Sequence, residues 1–218
     1  MKSMTPAAKR ILDDLMHRYT ALTVCEKAMS DVYELLIDAF DCGGTLYVAG
    51  NGGSAADSEH IAGELMKAFR CRRPIQKRDA DYLTEHFGQI GKNLSENIDA
   101  GLPVVPLPSL LSLSTAVVND VDGGYVFAQA LNALAKKDDV FLGISTSGNS
   151  LNIINALMIA KTKGMHTIGL CGKRECRMDA LCDVIIHAPE EETYKVQEYH
   201  LPIYHALCLM IETRYWGE

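Results

Sequence analysis

Two residues on one predicted helix have the types and spacing for proton-transfer chemistry. His60 and Glu64 are four residues apart, so both side chains lie on the same face of that helix. Glu64 has apolar neighbours such as Ile61, and a carboxylate partly shielded from water is a stronger general base than one in bulk solvent. A surface ion pair with Lys67 explains the same pattern equally well. The local sequence therefore leaves both interpretations open.

A second set of polar side chains lies on the last predicted helix. Gln197 and His205 are eight residues apart, about 80° around the helix axis, and can share one broad face. His200 lies about 60° to the other side of Gln197, so helix geometry does not choose between the two histidines. Two imidazoles with a carboxylate suit zinc, and a glutamine carbonyl is a rarer ligand. Each histidine is equally compatible with a packing or surface role.

Two turns rich in glycine and hydroxyl groups each follow a predicted strand and precede a predicted helix. The first turn, residues 50–54, reads Gly-Asn-Gly-Gly-Ser, and the second, residues 145–150, reads Ser-Thr-Ser-Gly-Asn-Ser. Glycine allows close backbone approach to a ligand, and helix N-termini present unpaired N–H groups that favour an anion. Neither turn fits a nucleoside-triphosphate loop or a dinucleotide fingerprint. The hydroxyl-rich second turn favours a phosphate site over an ordinary loop.

Alternating strands and helices must position these groups. Apolar runs predict five strands, over residues 45–49, 104–107, 139–144, 167–170 and 184–186. Helical periodicity covers residues 5–40, 55–69, 80–98, 109–119, 125–134, 151–163 and 191–212. The pattern predicts an α/β fold, a three-layer sandwich with a central parallel sheet of about five strands flanked by helices, plus an N-terminal helix. Such sheets bind ligands beyond the carboxyl ends of their strands, where both turns lie.

We expect a single domain over residues 1–218, with a helical arm over residues 1–42. Residues 70–100 depart from the compact pattern, because a cluster of arginines and lysines is followed by a polar and acidic stretch. A solvated excursion with one helix is the simpler interpretation, and a functional lid is the alternative. In either case residues 70–100 are predicted to be an insertion.

Composition restricts the function classes. The 218 residues are 48% hydrophobic and 22% charged, as in ordinary globular proteins. A net charge of −7 argues against a broad nucleic-acid surface. We find no run long enough to span a membrane and no signal-peptide core, so we expect a cytoplasmic protein with seven reduced cysteines. No C-x-x-C pair occurs, which argues against a structural zinc site.

Together, these motifs resemble sugar isomerase (SIS) domains, and within them the family of phosphoheptose isomerases, also called sedoheptulose 7-phosphate isomerases. The first turn, extended to Asp57, and the second turn each resemble a motif of that family. The matching positions outside the turns are His60, Glu64, Thr115, Ala116, Asn119, Asp120, Thr193, Gln197, Glu198, His200 and His205. The resemblance covers most of the chain except residues 70–100.

The resemblance implies conversion of sedoheptulose 7-phosphate into D-glycero-D-manno-heptose 7-phosphate through an enediol, the first step of ADP- or GDP-heptose biosynthesis. It implies that Glu64 is the base and His205 the acid. It also implies a homotetramer with active sites between subunits, and one zinc per subunit. The implied zinc ligands are His60, Glu64, Gln197 and His205. The implied substrate-binding residues are Asn51, Gly52, Gly53, Ser54, Asn119, Asp120, Ser145, Thr146, Ser147, Ser150 and Gln197.

Two other functions on the same fold are weighed against this one. A non-catalytic phosphosugar-binding regulator, or a partner of the replication initiator, would keep the turns and lose the acid–base pair. Both Glu64 and His205 are present, which favours catalysis. An arabinose 5-phosphate isomerase or amino-sugar lyase usually has other residues in place of the Gln197 to His205 pattern. Tyr194 and residues 121–124 also depart from the family pattern, and these departures bear on the exact substrate.

Overall fold

A five-stranded parallel sheet forms the centre of the molecule. The computed structural model describes residues 4–217, so residues 1–3 of the predicted arm and residue 218 lie outside the described residues. The strands are β1 (Leu46–Ala49), β2 (Val104–Pro106), β3 (Val140–Ile144), β4 (His166–Cys171) and β5 (Val184–His187). Their order is β2-β1-β3-β4-β5, and every neighbouring pair is parallel. The predicted sheet is confirmed.

Helices cover both faces of this sheet. Within residues 4–217 they are α1 (Pro6–Arg18), α2 (Glu26–Asp41), α3 (Gly53–Met66), α4 (Lys77–Asn97), α5 (Leu111–Asp120), α6 (Val126–Leu134), α7 (Leu151–Thr162) and α8 (Thr193–Trp216). Helices α1, α2, α3 and α8 pack on the face that contains Val48, and α5, α6 and α7 pack on the face that contains Phe141. The predicted three-layer sandwich is therefore confirmed. None of the described helices is long and apolar enough to cross a membrane.

The N-terminal helical stretch differs from its prediction. Instead of one helix over residues 5–40, α1 ends at Arg18 and α2 begins at Glu26, with a 3-10 turn (Thr20–Cys25) between them. The Thr23 hydroxyl donates to the Thr20 carbonyl at 2.9 Å, and such local side-chain bonds compete with α-helical pairing. The break allows α1 to cross onto α8 while α2 packs against the sheet.

Helix α4 stands apart from the sandwich. Among its described residues only Gly91 is buried, and its larger apolar side chains other than Leu83 are exposed, with Ile90 80% exposed. Gly88 has a positive φ of 57° and interrupts the helix. The segment is closed at its base, where Pro74 pairs with Asp99 and the Ala100 amide donates to the Arg73 carbonyl at 2.7 Å. The predicted helix is present and begins three residues earlier than expected, at Lys77.

Candidate active site

The two polar turns meet at the carboxyl edge of the sheet. Strands β1 and β3 are neighbours, and the strand order reverses at this point, because β2 lies on the other side of β1. Ligands of open α/β sheets bind at such a topological switch point, where the strand order reverses. The turn after β1 begins α3, and the turn after β3 begins α7. Both helix N-termini therefore lie beside the same crevice.

The first turn has a conformation that requires glycine. Gly52 has a φ of 56°, and a Cβ added to Gly53 would stand 2.6 Å from Gln197 Nε2. The turn is linked to α7 by two hydrogen bonds between side-chain amides. Asn51 Nδ2 donates to Asn152 Oδ1 at 3.0 Å, and Asn152 Nδ2 donates to Asn51 Oδ1 at 2.8 Å. Ser54 is buried in the first turn of α3. The turn is thus held by hydrogen bonds to α7 without any ligand.

The second turn is also internally hydrogen bonded. Ser145 Oγ lies 2.9 Å from Ser150 Oγ, and Ser147 Oγ accepts the Asn149 amide at 3.2 Å. Gly148 has a φ of 63°, which favours glycine. These hydroxyls lie at the N-terminus of α7, whose first residue is Leu151. Four hydroxyl groups and a helix N-terminus can together bind a phosphate.

Two basic residues at this crevice were missed by the sequence reasoning. A cleft of about 170 Å³ is lined by Thr146, Ser147 and Asn149 on one side and by Lys173 and Arg174 on the other. Arg174 is paired with Glu191. The sequence does contain a feature that could have identified them. Lys173 and Arg174 follow the carboxyl end of β4, just as the two polar turns follow the carboxyl ends of β1 and β3. Glu175 and Glu191 also line this cleft, so its rim carries charges of both signs.

A cluster of two imidazoles and a carboxylate lies between α3 and α8. His60 Nε2 is 3.1 Å from Glu64 Oε1, and His205 Nε2 is 3.4 Å from His60 Nε2. The three ligand atoms lie within 4.8 Å of one another. The Glu64 side chain is only 13% exposed, and Lys67 Nζ is 3.7 Å from its Oε2. The predicted ion pair with Lys67 is therefore long, and the carboxylate faces the histidines.

The tautomer of His60 follows from its second ring nitrogen. The Tyr204 hydroxyl donates to Asp57 Oδ1 at 3.2 Å, so its oxygen is free to accept from His60 Nδ1 at 3.0 Å. With Nδ1 bonded to Tyr204, Nε2 is the ring nitrogen that faces Glu64 and His205. Burial raises the pKa of Asp57, although the Tyr204 hydrogen bond and His60 partly oppose the shift. Burial also raises the pKa of Tyr204, which keeps the hydroxyl as a donor.

This donor set fits a divalent metal. His60 Nε2 faces the Glu64 carboxylate, and Glu64 Oε2 is buried without a hydrogen-bond partner. A divalent cation bound here would satisfy that unpartnered oxygen. Two imidazoles and one carboxylate are ligands that zinc takes in catalytic sites, where a fourth position stays open. The Tyr204–Asp57 pair supplies the outer hydrogen bonds that orient such ligands.

The structure distinguishes the two histidines that helix geometry left open. His205 is in the cluster, where burial and the nearby His60 lower its pKa. His200 is fully buried on the sheet side of α8, with Nε2 3.4 Å from the Cys171 carbonyl. Burial lowers the pKa of His200 to about 4. His205 therefore belongs to the cluster with His60 and Glu64, and His200 belongs to the core.

Three of the expected site residues lie away from the cluster. The Gln197 amide packs on Gly53, which precedes His60 by seven residues, or about 10 Å of helix. Asn119 and Asp120 are exposed at the end of α5, on the opposite layer of the sandwich, with Asn119 Nδ2 donating to Asp120 Oδ1 at 2.8 Å. Within one chain, the structure thus brings together His60, Glu64 and His205 only, among the expected zinc ligands.

A buried ion pair supports the helix that carries this cluster. Arg73 and Glu212 are both fully buried, and Arg73 Nε donates to Glu212 Oε1 at 2.9 Å. Arg73 also donates to the carbonyls of Leu65 at 2.8 Å and Glu64 at 2.9 Å, at the end of α3. The expectation of a solvated basic cluster is wrong for Arg73. Sequence reasoning missed the pair because its members are 139 residues apart.

Comparison with known proteins identifies the class first. Residues 110–212 match the SIS domain family. The phosphoheptose isomerase of Francisella tularensis has the same fold, with a TM-score of 0.74 at 24% identity over 94% of this chain and 95% of that one. The phosphoheptose isomerase of Neisseria gonorrhoeae has a TM-score of 0.70 at 28% identity, over 94% and 93% of the two chains.

The particular family follows from curated relatives. The chain is 37% identical over 189 residues to the phosphoheptose isomerase of Trichlorobacter lovleyi. This alignment covers 87% of this chain and 83% of the relative. It is 38% identical over 176 residues to the phosphoheptose isomerase of Aneurinibacillus thermoaerophilus, over 81% and 76% of the two chains. This chain therefore belongs to the phosphoheptose isomerase family, as the motifs predicted.

Proposed function

We propose that this protein is an aldose–ketose isomerase that converts sedoheptulose 7-phosphate into D-glycero-D-manno-heptose 7-phosphate through an enediol. The observation that carries the proposal is the convergence of Glu64 with His60 and His205 in a member of the phosphoheptose isomerase family. The product would enter ADP- or GDP-heptose biosynthesis. We place the protein in the cytoplasm as a single SIS domain (residues 1–218), with residues 1–42 as an arm and residues 70–100 as an insertion.

In the proposed reaction Glu64 removes a proton from one of the carbons C1 and C2 and returns it to the other. Its carboxylate is largely shielded from water, which suits this role. Burial and the nearby His60 lower the pKa of His205, and we assign this histidine the exchange of a proton with the carbonyl oxygen of the substrate. Zinc, when bound by His60, Glu64 and His205, would polarise the carbonyl and stabilise negative charge on the oxygens.

The phosphate of the substrate would be held by the two turns. Ser54, Ser145, Thr146, Ser147 and Ser150 offer hydroxyls, and the N-termini of α3 and α7 offer backbone amides. Lys173 at the rim of the cleft adds a positive charge. Asn51, Gly52, Gly53, Asn119, Asp120 and Gln197 remain proposed sugar-binding positions.

The spacing of the two parts supports an active site shared between subunits. Ser54 and Glu64 are ten residues apart on α3, which is about 15 Å of helix. An extended seven-carbon sugar phosphate spans about 10 Å, taking about 1.2 Å per bond from extended-chain geometry. A sugar phosphate is therefore shorter than the rise of the helix from Ser54 to Glu64 in one chain. We propose a homotetramer in which one subunit provides the turns and another the cluster.

The direct test is turnover of sedoheptulose 7-phosphate, with and without added zinc, followed by detection of the aldose. Glu64→Gln should lower kcat by about 10² or more, because a positioned general base supplies about 10²–10⁴. Glu59→Gln is the matched control, since Glu59 is an exposed acid on the same helix and bonds Ser109 instead. Binding of the sugar phosphate without turnover would replace this proposal with the non-catalytic alternative.

A complementation experiment tests the shared site. Glu64→Gln and Ser145→Ala are each expected to have strongly reduced activity, because each change impairs one half of the proposed site. When the two variants are mixed under conditions of subunit exchange, shared sites with both wild-type halves form and activity returns. Native mass spectrometry confirms the exchange. Full exchange without recovered activity would show that each chain works alone.

Zinc content tests the ligand assignment. His205→Ala is expected to lose both bound zinc and activity, whereas His166→Ala, at an exposed histidine that begins β4, should keep both. Metal analysis after dialysis against excess zinc measures the first effect. Unchanged zinc in His205→Ala would remove this histidine from the site.

A further inference from the structure

A pair of thiols lies directly behind the second polar turn. Cys171 ends β4, and Cys176 precedes a short 3-10 turn (Arg177–Ala180), where its side chain accepts the Asp179 amide as a cap. The two Sγ atoms are 4.0 Å apart, and both cysteines are free. A disulfide needs a separation of about 2 Å, so a rotation or small backbone shift of Cys176 would close the gap.

The same pair is in contact with the turn that is proposed to hold the phosphate. A Cβ added to Gly148 would overlap Cys176 Sγ and stand 3.6 Å from Cys171 Cβ. The backbone after Cys176 is also bonded to the turn, because the Arg177 amide donates to Asn149 Oδ1 at 3.0 Å and the Met178 amide donates to the Gly148 carbonyl at 3.3 Å. Any displacement of Cys176 is therefore transmitted to Gly148 and Asn149.

An imidazole lies beside the buried thiol. His187 Nδ1 is 3.3 Å from Cys171 Sγ and 2.8 Å from the Gly172 carbonyl, and Nε2 is 2.9 Å from Asp179 Oδ1. His187 thus links the buried Cys171 thiol to Asp179, whose backbone amide is capped by the Cys176 side chain.

We propose that Cys171 and Cys176 form a reversible disulfide that displaces the second polar turn and weakens phosphate binding. The site is distinct from the His60–Glu64–His205 cluster and from the hydroxyls of the turn. Transient redox-sensing disulfides are the kind found in reducing compartments. The functional part of this inference rests on the proposed function, and the formation of the bond does not.

The two cysteines have different roles in the proposed oxidation. Cys176 is partly exposed, whereas Cys171 is buried, and burial raises the pKa of the Cys171 thiol. A peroxide would therefore oxidise the Cys176 thiolate first, breaking its O–O bond to give a sulfenic acid and hydroxide. The Cys171 sulfur then attacks the sulfenic sulfur, and the S–O bond breaks with release of water. In total, two thiols and one hydrogen peroxide give one disulfide and two water molecules, and a dithiol reverses the step.

The expected functional effect is on binding. Closing the gap by about 2 Å displaces Cys176, and the backbone bonds from Arg177 and Met178 carry that displacement to Asn149 and Gly148. Loss of one hydrogen bond to a charged phosphate corresponds to a rise in KM of about tenfold or more. The kcat should change much less, because Glu64 and His205 are on other elements.

The test treats the full-length protein with hydrogen peroxide in steps and maps the thiols by peptide mass spectrometry. We expect a Cys171–Cys176 cross-linked peptide that has lost two hydrogen atoms, a KM about tenfold higher, and recovery of both after dithiothreitol. Cys176→Ser keeps a helix-capping oxygen at this position and should resist both changes. Cys182→Ala is the matched control, since this partly buried thiol packs near Gly169 and should respond like the unmodified chain.

A second readout separates this inference from the proposed function. Thermal stabilisation by inorganic phosphate reports on the turn without any turnover, and oxidation should reduce that stabilisation. If the cross-link forms and phosphate binding weakens in a protein that lacks isomerase activity, only the proposed function fails. Sulfinic acid at Cys176 without a cross-link, or a cross-link that leaves KM and phosphate binding unchanged, would overturn the inference.

Discussion

Replacing Glu212 by glutamine is expected to destabilise the fold strongly. The wild-type carboxylate accepts from Arg73 Nε at 2.9 Å, from the Phe69 amide at 2.9 Å and from the Arg70 amide at 2.9 Å, in a fully buried position. Glutamine offers one acceptor oxygen and turns an N–H₂ group toward these donors. The Arg73 charge is then left buried without a counter-ion, and breaking a buried pair in this way costs about 3–5 kcal/mol.

That cost is a large fraction of the free energy of unfolding of a domain, which is about 5–15 kcal/mol. For a chain of this size it corresponds to a fall in Tm of about 10 °C. Urea unfolding at one fixed protein concentration measures the effect, because subunit association also contributes to stability. Glu198→Gln, at an exposed acid on the same helix, should change the free energy of unfolding by less than about 0.5 kcal/mol.

A second variant tests the reason for the loss. The double substitution Arg73→Met with Glu212→Leu removes both charges and should recover most of the stability lost in Glu212→Gln, since apolar replacement of a whole buried pair is often neutral. If Glu212→Gln loses less than about 1 kcal/mol, an unpaired buried charge at Arg73 does not have the cost assigned to it, and the explanation from the buried pair is refuted.

Four further results are expected. Tyr204→Phe should weaken zinc binding about 10–100-fold in a metal titration, because the outer bond that sets the tautomer is lost. Gly148→Ala should weaken phosphate binding measured by calorimetry, since its φ is 63° and its Cβ would overlap Cys176. Burial lowers the pKa of His200 to about 4, so stability should fall by up to about 3 kcal/mol as pH falls from 6.5 to 4, and His200→Leu should flatten that slope. Replacing residues 77–97 by a short glycine-serine linker should leave the core folded, so the circular dichroism spectrum should lose only the helical signal of α4.

The fold was largely predictable because its signals are local. Each strand is a short apolar run that ends in a polar turn, and each helix repeats its apolar residues at helical spacing. The N-terminal break was not predictable from periodicity, because the 3-10 turn (Thr20–Cys25) keeps the hydrophobic pattern while changing direction. The continuation of α8 through Pro202 agrees with the predicted long helix, since packing of that helix outweighs one lost backbone bond.

The site was predictable in part. Spacing on α3 brought His60 and Glu64 to one face, but only tertiary packing could choose between His200 and His205. Tyr204 and Asp57 were not found as outer partners, because they are 147 residues apart and neither has a distinctive local pattern. The ion pair of Arg73 and Glu212 was not predicted for the same reason. Sequence spacing identifies groups within an element, whereas contacts between elements depend on the fold.

The closed base of residues 70–100 has a consequence for how this chain can change over evolutionary time. Pro74 and Asp99 meet in a bridge, and the Asp99 carboxylate also accepts the Ala68 amide at 3.1 Å, so the ends of the segment are fixed next to each other. Lengthening a closed loop costs little, about 0.6 kcal/mol for each doubling. Residues between the two ends can therefore be gained, lost or replaced while α3 and β2 keep their register, and α4 can diverge rapidly on a catalytic core that does not.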